Sequence, residues 1–363
     1  MRYKIYKQLK LNNSMKTNDL DLVLGFDIGG TTIAWGAVSK DGSTILRSYA
    51  LTKEEKPLFE KYEIKTQAYE TFDDFFKALV KKVDQFIEDN NLKGRIRGIG
   101  AGCPNGKHGD NTMEYAPNIR WAREYVIHLG DAFEQYYSLP VSVTNDADAA
   151  GMGEKIYGAA KNVRDFLLLT LGTGLGSVLF VNNDLVYGHD SFAGEIGHVR
   201  AEGNDRLGSR LCGCGRWNCT ETFVSATGIK RTAFELMAKY NGEFNGKKSE
   251  LSQYSFDRLD SEKIYQAAVR GDEIALECFR ITGEILGIKL ADSVAYTSPE
   301  KIYLFGGLTK AGDYILKPTR EYFEKNLLKI WQGKGISIEL SQLPDADAAV
   351  LGAGALIWNE LDK

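Results

Sequence analysis

The sequence predicts a duplicated α/β protein of two lobes with a cleft between them. Two observations carry that expectation: each half of the chain opens with an apolar run, a glycine turn and a second apolar run, and helical and strand periodicities alternate after each opening. With 363 residues, 43% of them hydrophobic, the chain can bury more than one core.

The first opening is Leu22 to Phe26, ending at Asp27, then Ile28-Gly29-Gly30-Thr31-Thr32 and a run through Val38, which together read as a β-hairpin. A third strand is expected over 45–51. Phe72, Phe75, Phe76, Leu79, Val83, Phe86 and Ile87 share one face of a helix, with Gly94 beyond its end. Ile96 to Ala101 reads as a buried strand entering the turn Pro104-Asn105-Gly106. Val141 to Thr144 is a further short strand that gives way to a helix at Asn145-Asp146. The second opening is Leu167 to Leu171, Gly172-Thr173-Gly174, and Ser177 to Val181. Helices follow after Thr227 and over Glu273 to Val294, then a strand, Lys301 to Phe305, with the glycine pair Gly306-Gly307. The polar stretch Lys239 to Leu259 reads as an exposed excursion. These signals divide the chain into an N-terminal extension (1–21), a small lobe (22–145) completed by a C-terminal helix at about 345–363, and a large lobe (146–344).

A formal charge of −4 and a pI near 5.8 leave no basic footprint, so no nucleic-acid partner is expected. No apolar stretch approaches the roughly 20 residues that span a bilayer, and the first 21 residues are too polar for a signal peptide, so no membrane partner and a cytoplasmic location are expected. Of five cysteines, Cys212, Cys214 and Cys219 cluster, which points to metal rather than disulfides, while Cys103 and Cys278 read as small buried hydrophobes.

Glycine turns let backbone N–H groups approach an anion, and threonine hydroxyls add donors. Gly29 to Thr32 and Gly172 to Gly174 are therefore candidate phosphate cradles, against the alternative of plain tight turns. Neither GxxxxGK followed by Ser or Thr nor GxGxxG between strand and helix fits, which removes the P-loop and Rossmann readings. Asp27 to Thr32 resembles instead the first phosphate loop of the actin-like kinase superfamily, Gly172 to Gly174 its second, and Gly306-Gly307 its adenosine-side glycine pair. Asp146, at a strand-to-helix junction, suits the single base that phosphoryl transfer needs; the competing reading is a helix N-cap with Asn145 in the turn. Three thiolates and an imidazole satisfy a closed structural zinc, and His198 is the histidine nearest the cysteines; the alternative is three reduced cysteines in a glycine-rich loop.

Taken in order, Asp-x-Gly-Gly-Thr, Asn-Asp, Leu-Gly-Thr-Gly, Glu195-Ile196-Gly197-His198 and Cys212-Gly213-Cys214-Gly215-Arg216-Trp217-Asn218-Cys219-Thr220-Glu221 resemble the ROK family over nearly the whole chain. That family holds bacterial glucokinases, fructokinases, N-acetylhexosamine kinases and sugar-responsive repressors. The resemblance implies a two-lobed actin-like (ribonuclease H-like) ATPase fold and transfer of the γ-phosphoryl group of ATP to a hexose, glucose first, with N-acetylmannosamine, N-acetylglucosamine and fructose as alternatives. It implies that Asp146 is the general base and that Asn118, Asn145, Glu195, His198 and Glu221 bind sugar hydroxyls, with Gly106 against the ring. The nucleotide falls to Asp27, Gly29, Gly30, Thr31, Thr32, Gly172, Thr173, Gly174, Gly306 and Gly307, with Mg²⁺ near Asp27. Structural Zn²⁺ falls to His198, Cys212, Cys214 and Cys219, and a homodimer is expected.

Three departures stand out. Asn105 stands between Pro104 and Gly106 where the family more often has Pro-Gly directly, Asn218 replaces the usual glycine before the last cysteine, and Gly203 to Leu211 carries extra residues. The repressors of the family carry a helix-turn-helix domain, and the stretch before the first strand, with Lys4, Lys7 and Lys10, is too short for that module.

Overall fold

A computed structural model describes residues 21–43, 45–50, 55–201, 207–344 and 347–363. Residues 1–20 of the N-terminal extension and residues 202–206 of the long loop lie outside these. The chain forms two compact units, one of residues up to Asn162 with Tyr187–Phe192 and Gln342–Lys363, the other of Val163–Val186 and Ala193–Ser341.

In the first unit, β1 (Leu22–Ile28), β2 (Ile33–Ser39), β3 (Ile45–Arg47), β4 (Ile96–Cys103) and β8 (Val141–Asn145) form a sheet in the order β3-β2-β1-β4-β8. The first three are antiparallel neighbours, while β4 runs parallel to β1 and β8 parallel to β4. Short strands β5 (Gly106–Lys107), β6 (Thr112–Glu114) and β7 (Val126–Ile127) make a separate three-stranded sheet. Helix α1 (Lys56–Phe59) is a single turn, and α2 (Phe72–Asp89) carries the predicted apolar stripe. Its N-terminus is capped by Thr71, whose side chain accepts the Asp74 N–H at 3.2 Å. The stripe packs with Leu24, Phe26 and Trp35 and with Phe133 of α3 (Leu129–Tyr137).

The other sheet face is covered by the C-terminal helix Ala348–Leu361 and by α4 (Asp146–Ile156). The helix backbone lies directly on the strands. A Cβ at Gly100 would overlap the Ala353 carbonyl, and one at Gly352 the Ala149 carbonyl. Because α4 packs against this helix and β4, the unit runs to Asn162, beyond the boundary at 145/146 expected from the sequence. Cys103 is fully buried, and burial together with the Asp146 and Asp27 carboxylates pushes its thiol pKa up.

The second unit repeats the sheet. β9 (Phe166–Leu171), β10 (Leu175–Val181), β11 (Asp184–Leu185), β14 (Lys301–Phe305) and β15 (Ser337–Leu340) take the order β11-β10-β9-β14-β15, with the same sequence of antiparallel and parallel pairings. Helices α5 (Ala226–Lys239), α6 (Ser261–Val269), α7 (Glu273–Thr297) and α8 (Asp313–Asn326) complete it. Buried residues occur all round α7, including Cys278, and Gly283 and Gly287 let α8 approach its backbone. The expected excursion at 239–259 is only partly exposed: its hairpin β12 (Glu243–Phe244) to β13 (Lys247–Lys248) stands out, while Leu251 and Leu259 anchor it in the core. Among the described residues, no helix is long and apolar enough to cross a membrane.

Candidate active site

The sequence-predicted residues fall into two groups, one per unit. In the first, adjacent parallel strands bring the ends of β1, β4 and β8 together, with Asp27 opposite Gly102 and Cys103 opposite Asn145. Asp146 is the first residue of α4. Asn145, not Asp146, is the N-cap, its Oδ1 accepting the Asp148 N–H at 2.6 Å. That leaves the Asp146 carboxylate, which accepts its neighbour Ala147 N–H at 2.9 Å, free of the cap. Desolvation by the protein packed around it raises the Asp146 pKa from its ordinary value. Asp27 is pushed up to about 6, first by burial and then by the Asp146 charge. The Asp146 charge thus adds to the cost of ionising Asp27, a cost that a divalent cation would offset, and a hard carboxylate oxygen suits Mg²⁺. Asp148, by contrast, is buried and accepts the Thr144 hydroxyl at 2.7 Å.

The Gly29–Thr32 turn joins β1 to β2, closed by the Gly29 N–H to the Thr32 carbonyl at 3.1 Å, with Thr31 and Thr32 exposed. Sequence reasoning missed its braces. Thr66 donates its hydroxyl to the Gly29 carbonyl at 2.8 Å and its N–H to the Thr31 carbonyl at 2.9 Å. Gln67 donates both to the Gly30 carbonyl, at 2.6 Å, and to that of Asn118. A Cβ on Gly30 would sit 3.1 Å from Asn118, so the expected sugar contact and the phosphate turn are close neighbours. Gly106 is buried with its Cα against the Thr144 carbonyl, where no Cβ fits, and Asn105 beside it has φ 51° with its amide donating to the Tyr115 carbonyl at 3.3 Å. No motif marks Thr66 or Gln67, because their role comes from chain folding back over 35 residues.

In the second unit the Gly172–Gly174 turn joins β9 to β10, and Gly306-Gly307 follows β14, which pairs with β9. Both glycine sets therefore lie at one end of two adjacent strands. Gly306 has φ 106° and packs on the Leu171 backbone, while a Cβ at Gly172 or Gly307 would meet nothing within 4 Å. Open space at these turns is what a nucleotide laid along backbone requires.

The remaining residues gather around the cysteines. Residues 199–201 pair with 218–220, Ala201 N–H to the Asn218 carbonyl and Thr220 N–H to the Val199 carbonyl, both 2.8 Å, which brings His198 to the cysteines. Ligand atoms of His198, Cys212, Cys214 and Cys219 all lie within 4.8 Å of one another. Cys214 and Cys219 sulfurs are 3.6 Å apart, and Cys212 Sγ is 3.7 Å from His198 Nδ1. Tetrahedral zinc with bonds of about 2.3 Å to sulfur places its sulfurs about 3.8 Å apart, so the set fits that ion. His198 Nε2 points the other way, 3.8 Å from Glu195 Oε2. Glu221 Oε2 accepts the Leu175 N–H at 3.1 Å. Asn218 has φ 60° and its side chain accepts the Arg210 N–H at 2.8 Å, so it fills the left-handed position of the glycine it replaces.

A family model described as ROK family matches residues 23–360. The chain belongs to the ROK family. It is 32% identical over 339 residues to a glucokinase of Halalkalibacterium halodurans, covering 92% of this chain and 94% of the relative. A xylose repressor of Caldicellulosiruptor bescii is 28% identical, covering 94% of this chain and 79% of the relative. Among solved structures, a ROK family glucokinase from Streptomyces griseus in complex with glucose and AMPPNP superposes with a TM-score of 0.70 at 30% identity, covering 92% of this chain and 98% of that one. The architecture is thus that of the ROK sugar kinases, an actin-like ATPase fold.

Proposed function

We propose that this chain is an ATP-dependent sugar kinase that phosphorylates glucose at O6. The observation that carries the reading is Asp146 itself: a carboxylate of raised pKa that the helix cap does not use, at the end of β8 and beside Asp27, within a family whose compared members include glucokinases. A base of this kind accepts the sugar hydroxyl proton as the oxygen attacks the γ-phosphorus and the bond to the β–γ bridging oxygen breaks to release ADP, and a raised pKa improves that acceptance. Bound Mg²⁺ would neutralise the charge on the transferring phosphoryl group, with Asp27 as its protein anchor. The amides and hydroxyls of Gly29, Gly30, Thr31, Thr32, Gly172, Thr173 and Gly174 bind phosphates, and Gly306 and Gly307 pass the nucleoside. Asn118, Asn145, Glu195, His198 and Glu221 hydrogen-bond the sugar, with Gly106 at the ring.

His198, Cys212, Cys214 and Cys219 would hold a structural zinc, which would fix the imidazole with Nε2 toward the sugar beside Glu195. A homodimer and a cytoplasmic location belong to the same reading, and light scattering of the purified protein tests the first. An ATP-consumption screen against glucose, N-acetylglucosamine, N-acetylmannosamine, fructose and allose tests the substrate. Highest kcat/KM with glucose is expected. Turnover of an N-acetylhexosamine or fructose in preference to glucose would move the assignment to that sugar, and ATP consumption with none of them would refute it.

A further inference from the structure

We propose that Glu221 is also a positioning residue for the nucleotide: with Ser225, it lets the segment leaving the cysteine cluster hold the Gly172–Gly174 turn in its phosphate-binding shape, an inference that rests on the kinase reading above. The turn is gripped at both ends by one short stretch of chain. At its exit, the Leu175 N–H donates to Glu221 Oε2 at 3.1 Å. At its entry, the Gly172 carbonyl accepts the Ala226 N–H at 2.8 Å. Between these two points the turn closes on itself, Gly172 N–H to the Gly174 carbonyl at 3.1 Å.

The gripping stretch is rigid. Ser225 donates its hydroxyl to the Glu221 carbonyl at 2.8 Å and accepts the Gly228 N–H at 2.9 Å, capping α5. Thr222 donates to the Cys219 carbonyl at 2.7 Å. Below it, the buried Arg210 guanidinium donates to the Thr222 carbonyl at 2.6 Å and the Gly228 carbonyl at 3.1 Å, and stacks over the Phe223 ring at 4.3 Å. Glu221 Oε1 lies 3.6 Å from Cys212 Sγ, so the same carboxylate touches the cluster on its other side. Packing agrees: a Cβ at Gly174 would overlap Glu221 Oε2, so glycine there makes room for the carboxylate as well as for phosphate.

A residue that only binds sugar leaves nucleotide affinity unchanged when no sugar is present. Calorimetric titration of AMPPNP without sugar, with zinc content measured alongside, therefore separates the two roles for the unaltered protein, Glu221→Ala, Glu221→Gln and Ser225→Ala. Loss of the hydrogen bond that holds the exit of the turn weakens AMPPNP about tenfold in Glu221→Ala. Glu221→Gln, whose amide oxygen still accepts from Leu175, stays within about twofold, and Ser225→Ala weakens binding about threefold. Should Glu221→Ala fail to fold or lose zinc, the Ser225→Ala to Glu221→Gln contrast carries the test. Equal AMPPNP affinity in every folded variant overturns the proposal and leaves the kinase reading standing. No AMPPNP binding by the unaltered protein overturns both.

Discussion

At the scale of single residues, Asp27 has the most definite consequence. Its pKa of about 6 in the folded chain exceeds the unfolded value near 3.8, so the fold binds more protons than the unfolded chain between those two pH values. Its stability contribution is therefore fully present at low pH and is lost as pH rises through about 6. At pH 7 the ionised group costs up to about 3 kcal/mol. Asp27→Asn is expected to raise the melting temperature of the ligand-free protein at pH 7 and to flatten the stability change between pH 4 and 6, measured by thermal unfolding. If Asp27 anchors Mg²⁺ as proposed, the same carboxylate would have to ionise to do so, and Mg-nucleotide affinity should fall as pH drops below about 6 in the unaltered protein. A pH-independent affinity from 5 to 8 would contradict this.

Two asparagines show how far single residues were legible. Asn105 and Asn218 depart from the family pattern, yet both have positive φ, a conformation that asparagine tolerates better than other side-chain-bearing residues. At Asn218, which stands where the family has glycine, the departure therefore keeps a left-handed position that glycine also adopts. Asp146 was legible as a candidate base, but its rival role as N-cap was settled only by geometry, since the Asp148 N–H goes to Asn145. Thr66 and Gln67 were illegible because nothing local marks a residue that braces a turn some 37 positions away.

At the scale of elements, the cysteine loop and the C-terminal helix carry separate tests. Metal analysis of protein purified under reducing, chelator-free conditions should give about one zinc per chain, and Cys212→Ser should lower both zinc content and hexose affinity. A metal-to-chain ratio near zero would refute the site. His198→Ala should damage both properties together, since one ring nitrogen faces the cysteines and the other faces Glu195. Around the C-terminal helix, Gly352→Ala drives a methyl group into the Ala149 carbonyl of α4 and Gly100→Ala, on β4, drives one into the Ala353 carbonyl of the helix, and overpacking of this kind costs about 1–3 kcal/mol. Denaturant unfolding checks it, and unchanged stability would mean that the helix does not lie on the strands as described. Strands and helices with strong periodicity, such as Phe72–Asp89 and Lys301–Phe305, were readable from the sequence within a few residues. Helix Asp313–Asn326 was not, because Pro318 interrupts its pattern; the proline packs on Gly283 of the neighbouring helix.

At the scale of the whole chain, the duplication was visible only as two strand–glycine–strand openings. The structure deepens this to two sheets of identical strand order and direction. Such identity rests on pairings between strands far apart in sequence, Leu22–Ile28 with Ile96–Cys103 and Phe166–Leu171 with Lys301–Phe305, which local patterns do not encode. For the same reason the unit boundary moved: the helix beginning at Asp146 belongs with the first unit through its packing on the C-terminal helix, a contact spanning some two hundred residues.

The central claim is that Asp146 is the base of an ATP-dependent glucose kinase. It is tested most directly by measuring glucose-dependent ADP release from the unaltered protein and from Asp146→Asn side by side, at glucose and ATP concentrations that saturate both. The account predicts that kcat falls by a factor of about 10²–10⁴ in the variant while glucose still binds. Near-wild-type turnover by Asp146→Asn would contradict it.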